Sequence, residues 1–110
     1  MKRAFPQQGE VWLFALDPTR GAEIQKTRPC VIVSPDVLNA RLKTVIIVPM
    51  TSGGFEAPFR LEVCFQGRDG LLLPDQMRAV DRARGIKNLG KIDGTALSAL
   101  LAILREMFGK

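Results

Sequence analysis

Three polar residues near the ends of predicted strands have side chains that could act on a phosphate group: Glu23, Arg28 and Thr51. Pro29 holds its own φ at about −65° and biases Arg28 toward an extended conformation, which places the guanidinium at the start of an apolar strand. Glu23 lies five residues before Arg28, and a loop that folds back would bring the two charged groups together. The alternative is a surface ion pair without a function, worth about 0–1 kcal/mol.

The chain contains no histidine, so any acid–base chemistry has to come from carboxylates, amines, guanidinium groups or hydroxyls. Glu23 is the best available proton acceptor. Arg28 is the best stabiliser of added phosphate charge, because its planar fork matches phosphate oxygens, and Thr51 can donate a hydrogen bond to one of them. The glycine pair 53–54 directly follows Thr51 and Ser52. It could let that loop close over a ligand.

The 110 residues suffice for one domain with a core that needs neither a metal nor a disulfide. We expect a single domain over residues 1–110, with residues 1–8 as a flexible basic tail. The hydrophobic fraction of 46% and the charged fraction of 25% are typical of globular proteins. The formal net charge of +5 favours a polyanionic partner.

Cys30 and Cys64 both fall within apolar runs, so we expect two buried free thiols rather than a disulfide, which suits a reducing cytoplasm. No run of about 18 apolar residues is present, so we expect no membrane span. The first ten residues lack the apolar centre of a signal peptide. We expect no cofactor and no metal, since a zinc site without histidine would need carboxylates and two distant cysteines.

Hydrophobic patterning predicts a mainly β chain with a C-terminal helix, an α+β protein built as a small curved sheet or barrel. The residues from 59 to 65 alternate apolar and polar side chains, which is typical of a strand with one solvent-facing side. The helix is predicted from Gly94 to Phe108 with Asp93 as its N-cap. The predicted strands are Val11–Leu16, Cys30–Ser34, Thr44–Pro49, Phe59–Phe65, Leu71–Leu73 and, as a possible sixth, Met77–Asp81.

The segment from residue 82 to 91 is the densest in basic residues, and its second half resembles a phosphate-binding loop. Gly85, Gly90 and Lys91 fit the GxxxxGK pattern, but Ile92 occupies the position that needs a magnesium-binding hydroxyl. We therefore reject nucleotide binding. The predicted helix carries more apolar residues than one stripe needs. Burial in the domain's own core and a subunit interface would each explain this surplus.

Four segments in order, GEVWLFALDPTRGAE, RPCVIVS, VPMTS and DQMRAVDRARG, resemble the MazF/PemK/Kid-type toxin endoribonucleases. Each segment alone is a weak match, but the four at this spacing in a chain of this length are specific. The resemblance runs from Gly9 into the C-terminal helix. It implies a small SH3-like barrel of the CcdB/PemK type and a homodimer.

The resemblance further implies a toxin that cuts single-stranded RNA at short sequences without a metal. The RNA 2′-OH attacks the adjacent phosphate and leaves a 2′,3′-cyclic phosphate and a 5′-OH. It also implies a cognate antitoxin that inserts a disordered acidic segment along the RNA groove. Together with the residue chemistry above, it assigns catalysis to Glu23, Arg28 and Thr51. We expect RNA-binding contacts from Lys26, Ser52, Phe59, Asp75, Gln76 and Arg84.

Aromatic residues could add base stacking, because Phe55 and Phe59 flank the glycine-containing loop. For Phe59, at the start of an alternating strand, core packing is an equally good interpretation. Two other functions remain open for the whole chain. One is a barrel that binds protein without catalysis, as do topoisomerase-poisoning toxins of the same fold, and the other is a non-catalytic RNA-binding module.

Overall fold

A computed structural model describes residues 5–16, 20–23 and 26–110. Within them, seven strands precede a long C-terminal helix, and a short helix follows the second strand. The strands are β1 (Glu10–Ala15), β2 (Thr27–Ile32), β3 (Thr44–Thr51), β4 (Leu61–Phe65), β5 (Arg68–Leu72), β6 (Arg78–Asp81) and β7 (Gly85–Lys91). The helices are α1 (Asp36–Asn39) and α2 (Gly94–Phe108), and 3-10 turns lie at Pro74–Gln76 and Arg82–Arg84.

The strands form one antiparallel sheet in the order β4-β5-β3-β2-β1-β7, and β6 also pairs with β3. The first half of β3 pairs with β6 and its last two residues pair with β5. Because β3 pairs with two different strands, β6 and β5, along its length, the sheet curves around β3. The mainly β architecture with a C-terminal helix is confirmed, and so is the span predicted for α2.

The central strands are buried on both faces, which explains their continuous apolar sequences. In β2, Val31 belongs to a cluster that includes Leu100 of α2, whereas Ile32 belongs to a second cluster around Phe14. Other apolar residues of α2 also pack on the first cluster, so the domain's own core accounts for part of the helix's apolar surplus. Phe108 remains 70% exposed at the helix end.

Strand β7 was not predicted, and its polar sequence explains why. It pairs with β1 through two register irregularities, and Gly90 adopts a φ of 117°, which favours glycine. The strand is held by pairing to an apolar neighbour rather than by its own β propensity. The near-match to a phosphate-binding loop lies along this antiparallel strand, and the next helix, α2, begins at Gly94 rather than within the motif.

The alternation of residues 59–65 is confirmed for β4, but two details were wrong. The strand begins at Leu61, because Phe59 lies in the preceding turn with a φ of 68°. Cys64 is a free thiol on the exposed face of β4, so its predicted burial was wrong. The polar alternation of this strand, and not the apolar run around the thiol, decides which way Cys64 faces. Cys30 is free and buried, as predicted.

Part of the N-terminal segment is anchored to the sheet. The side-chain amide of Gln8 donates to the Val33 carbonyl over 2.8 Å, and its backbone N–H donates to the Asp36 carboxylate over 2.7 Å. Residues 1–4 of the predicted basic tail lie outside the described residues. In the described parts of the chain, no helix is long and apolar enough to cross a membrane.

Candidate functional site

A cavity of about 410 Å³ opens where β2 begins and β3 ends, and Arg28, Thr51 and Ser52 line it. The pairing of the two strands explains why these residues meet. Cys30 is the partner of Pro49, and continuing this antiparallel register by two residues places Arg28 beside Thr51. The same cavity is lined on its other sides by Ala22, Gly53, Gly54, Phe55, Arg60, Leu73 and Gln76.

A second cavity, of about 570 Å³, shares Arg28, Thr51 and Ser52 with the first and extends toward Gln66 and Arg68. The two cavities therefore form one continuous depression, which we call the groove, with Arg28 and Thr51 at its middle. A groove longer than one cavity, with a cation and a hydroxyl at its centre, suits an extended anionic chain more than a small molecule.

Burial and a hydrogen bond from the backbone hold the Thr51 side chain in place. Its side chain is 8% exposed, and its Oγ1 accepts a hydrogen bond from the backbone N–H of Gly53 over 3.3 Å. Because the hydroxyl oxygen accepts from the backbone, its proton can be donated to a ligand oxygen in the groove. A preorganised donor of this kind stabilises charge that develops during a reaction.

Glu23 lies in an adjoining cavity of about 530 Å³, which also contains Asp75, Gln76 and Arg78. Its Oε1 accepts a hydrogen bond from the backbone N–H of Arg20 over 2.5 Å. Ala22 and Gln76 line both this cavity and the groove, and the amide of Gln76 donates to the Ala22 carbonyl over 3.3 Å. Glu23 is therefore a neighbour of the groove across this Ala22–Gln76 bridge.

Arg60 and Asp75 form a bidentate ion pair at the edge of the groove, with N–O distances of 3.0 and 2.9 Å. Arg60 also donates through Nη1 to the Phe55 carbonyl over 3.0 Å, and its guanidinium carbon lies 5.0 Å from the centre of the Phe55 ring. The hydrogen bond from Arg60 lowers the pKa of Asp75. Asp75 thus remains ionised at neutral pH with both oxygens held by Arg60.

The sequence gives no local signal for this role of Arg60. In the alternating pattern it is one polar residue on the solvent side of a strand, and its partner lies 15 residues further along the chain. Only the packing of the turn at Pro74–Gln76 against the loop after β3 brings the two together. Phe55, which follows the glycine pair, lies on the same wall of the groove.

The remaining predicted RNA-binding residues lie apart from the groove. Lys26 is exposed just before β2, and its carbonyl accepts from the N–H of Leu16 over 3.0 Å. Phe59 is exposed on the turn before β4. Arg84 donates to the Ala15 carbonyl over 3.4 Å from the turn after β6. Within the described residues, no three metal-binding side chains come together in a cluster.

Comparison with known proteins identifies relatives over nearly the whole chain. Residues 7–108 match a family described as PemK-like, MazF-like toxins of type II toxin–antitoxin systems. An Escherichia coli protein named endoribonuclease PemK is 38% identical over 104 residues, which cover 89% of this chain and 78% of the relative. The endoribonuclease toxin MazF of Escherichia coli strain K12 is 31% identical over 110 residues, 99% of each chain.

The fold is shared with a solved structure as well. The crystal structure of MazF from Deinococcus radiodurans superposes with a TM-score of 0.85 and covers 98% of this chain and all of that one. The two sequences are 24% identical, so this likeness concerns the fold. It agrees with the curved antiparallel sheet and the C-terminal helix described above.

Proposed function

Since the chain belongs to the PemK-like, MazF-like toxins of type II toxin–antitoxin systems, we propose that it is an endoribonuclease that cuts single-stranded RNA without a metal. The observation that supports this most is the meeting of Arg28 and Thr51 at the middle of the groove. A groove of this shape accommodates a polynucleotide, and the two side chains provide a permanent cation and a hydroxyl donor for one phosphate.

The reaction proceeds by attack of an RNA 2′-oxygen on the adjacent phosphorus. Arg28 stabilises the doubly charged phosphorane electrostatically, and Thr51 donates a hydrogen bond to one of its oxygens. Glu23 accepts the 2′-OH proton, because a ribose bound beside Arg28 can extend past the Ala22–Gln76 bridge toward its carboxylate. The P–O5′ bond then breaks, the 5′-oxygen takes up a proton, and a 2′,3′-cyclic phosphate remains.

The groove also suggests which predicted contacts hold the RNA. Ser52 and Gln76 line it directly and provide hydrogen-bond donors beside the phosphate site. Asp75 contributes through Arg60, whereas Lys26, Phe59 and Arg84 would contact nucleotides further from the cut. The protein acts as a homodimer in the cytoplasm, where its RNA substrate and a reducing medium for free thiols are found.

The partner of the toxin is a cognate antitoxin with a disordered acidic segment. The formal charge of +5 favours such a segment, because acidic side chains can occupy the positions that RNA phosphates take in the groove. Antitoxin and RNA would then compete for the same surface.

The deciding experiment is cleavage of a defined RNA followed by analysis of the ends produced. The wild-type protein is expected to leave 2′,3′-cyclic phosphate and 5′-OH ends, with no loss of rate in EDTA and no cutting where the attacking nucleotide is 2′-deoxy. Arg28→Ala should keep the fold and lower the rate at least about 10²-fold. Arg41→Ala, which removes the same charge from an exposed position outside the groove, is the matched control.

Several outcomes would contradict the proposal. Cutting of an all-deoxy substrate would exclude attack by the 2′-OH, and strong inhibition by EDTA would show a metal-dependent reaction. RNA that is bound but left intact would favour the non-catalytic RNA-binding module. An absence of both binding and cutting would favour a protein-binding toxin. Near-normal cutting by Arg28→Ala would remove Arg28 from the mechanism.

A further inference from the structure

Phe55 combines high exposure with fixed surroundings. Its side chain is 74% exposed, although it lies on the wall of the groove next to Thr51 and Ser52. A ring that is exposed to water is not stabilised by burial, and on a loop with two glycines it would ordinarily move freely. In this chain the ring and its carbonyl are instead both engaged by Arg60.

Arg60 is itself held firmly, which is what fixes the ring. Its side chain is 11% exposed, and the bidentate contact with Asp75 leaves its planar fork one orientation. The guanidinium lies near Phe55 at a distance that suits a cation–π contact. The result is an aromatic ring whose position beside the phosphate site is restrained by Arg60, while most of its surface stays open to solvent.

We propose that Phe55 is a stacking platform for one base of the RNA, a base directly next to the phosphate bound at Arg28 and Thr51, with Arg60 as the residue that positions the ring. This inference rests on the proposed ribonuclease function and adds to it a base-binding position. A ring held on one side by a guanidinium presents its remaining surface to a base, and any base can stack on it.

An RNA base fits this position better than an apolar partner does. The ring is a single exposed aromatic side chain surrounded by polar groups of the groove, namely Ser52, Gln76 and the Arg60–Asp75 pair. A protein interface would ordinarily need a larger contiguous apolar patch. A flexible strand of nucleotides whose phosphate is held at Arg28 has its neighbouring base within reach of the same cavity.

The test uses a single-stranded RNA that contains the cut sequence of the protein, made uncleavable by a 2′-deoxy substitution at the attacking nucleotide. Fluorescence anisotropy measures its affinity for the wild type and for Phe55→Leu, which keeps an apolar side chain but removes the ring. Phe55→Leu is expected to weaken binding about 5- to 100-fold. Phe55→Trp should retain the wild-type affinity. Phe108→Leu changes an equally exposed phenylalanine outside the groove and is the matched control.

The base itself is identified by replacing single nucleotides next to the cut. At one of these positions an abasic residue should weaken binding to the wild type but have little further effect on Phe55→Leu. 2-Aminopurine at the same position should lose fluorescence when the wild type binds, and keep it with Phe55→Leu. Arg60→Met should reduce this quenching and raise KM while kcat stays close to the wild-type value, because the ring is then present but not held.

Three results would overturn the inference. One is equal affinity and equal quenching for Phe55→Leu and Phe108→Leu. Another is an abasic effect of the same size in the wild type and Phe55→Leu. The third is a Phe55→Leu protein that changes only its oligomeric state. If the wild type cuts RNA normally in any of these cases, the stacking platform fails and the ribonuclease function stands. If the wild type neither binds nor cuts RNA, both fail.

Discussion

The two adjacent glycines after β3 should respond very differently to the same substitution. A Cβ atom at Gly54 would lie 2.8 Å from the Thr51 methyl carbon and 3.2 Å from a methyl of Leu71. A Cβ atom at Gly53 would meet nothing within 4 Å. Neither glycine has a positive φ, so an alanine is not strained by the backbone conformation at either position. The difference between them comes from the contact with Thr51.

The size of the effect follows from that contact. Thr51 has to move by about 0.6 Å, from 2.8 Å to the 3.4 Å at which ordinary van der Waals contact begins. A displacement of about 1 Å at a reacting centre can cost about 10²-fold in rate, so we expect Gly54→Ala to cut RNA about 10- to 100-fold more slowly. Overpacking should also lower the free energy of unfolding by about 1–3 kcal/mol.

Initial rates of RNA cleavage and urea unfolding of the same preparations measure both quantities. Gly53→Ala is the control, because it restricts the unfolded chain in the same way, its added Cβ atom would not contact Thr51, and its backbone N–H can still donate to Thr51 Oγ1. Its rate should remain within about twofold of the wild type. If Gly54→Ala is folded and cuts RNA as fast as Gly53→Ala, the position of the Thr51 side chain does not set the rate and the role given to its hydroxyl is wrong.

Three further predictions concern the ion pair, the thiols and the groove. A double-mutant cycle with Arg60→Met and Asp75→Asn should give a coupling of about 0.5–2 kcal/mol in the free energy of unfolding at pH 7. The 44% exposure of the Asp75 side chain limits this value. Because the pKa of Asp75 is lowered in the folded state, this coupling should be complete above the ordinary aspartate pKa of about 3.9 and disappear as the pH falls through the lower value. A coupling under about 0.3 kcal/mol at pH 7 would contradict the ion pair's role. Burial raises the pKa of the Cys30 thiol to about 12, so a thiol reagent at pH 8 should label only Cys64 until urea is added, and mass spectrometry of doubly labelled native protein would refute this. Arg28→Ala should reduce the slope of log affinity for RNA against log salt by about 0.7, and an unchanged slope would mean that Arg28 contacts no phosphate.

The parts of the fold that could be predicted from the sequence are those whose signal is local. The apolar runs of β1 to β3 are continuous because both faces of these strands are buried, and the spacing of Leu97, Leu100 and Leu104 follows the helix period. The positions of Arg28 and Thr51 near strand ends could be predicted. Pro29 marks the start of the apolar run that follows Arg28, and Thr51 stands at the end of the next strand's apolar run. Their closeness then follows from antiparallel pairing.

The parts that could not be predicted depend on pairing between distant segments. Strand β7 has two glycines and three polar residues among its seven, and it is a strand because β1 offers it unpaired backbone groups. The exposure of Cys64 depends on which face of β4 packs on the core. Arg60 is an ordinary surface residue until the turn containing Asp75 packs beside it. Each of these features is a tertiary contact with no local sequence pattern.

The partners of the two carboxylates near the groove separate their chemical roles. Asp75 uses both oxygens to hold Arg60, and its lowered pKa makes it a weak base, so Asp75→Asn should act mainly through the Phe55 ring and raise KM. Glu23 uses one oxygen to accept from the Arg20 N–H. Glu23→Gln keeps an oxygen for that bond but loses the basic group, so kcat should fall about 10²–10⁴-fold with little change in KM. The reverse pattern, with kcat lost in Asp75→Asn and retained in Glu23→Gln, would make Asp75 the base and would require Arg60 to release it when RNA binds.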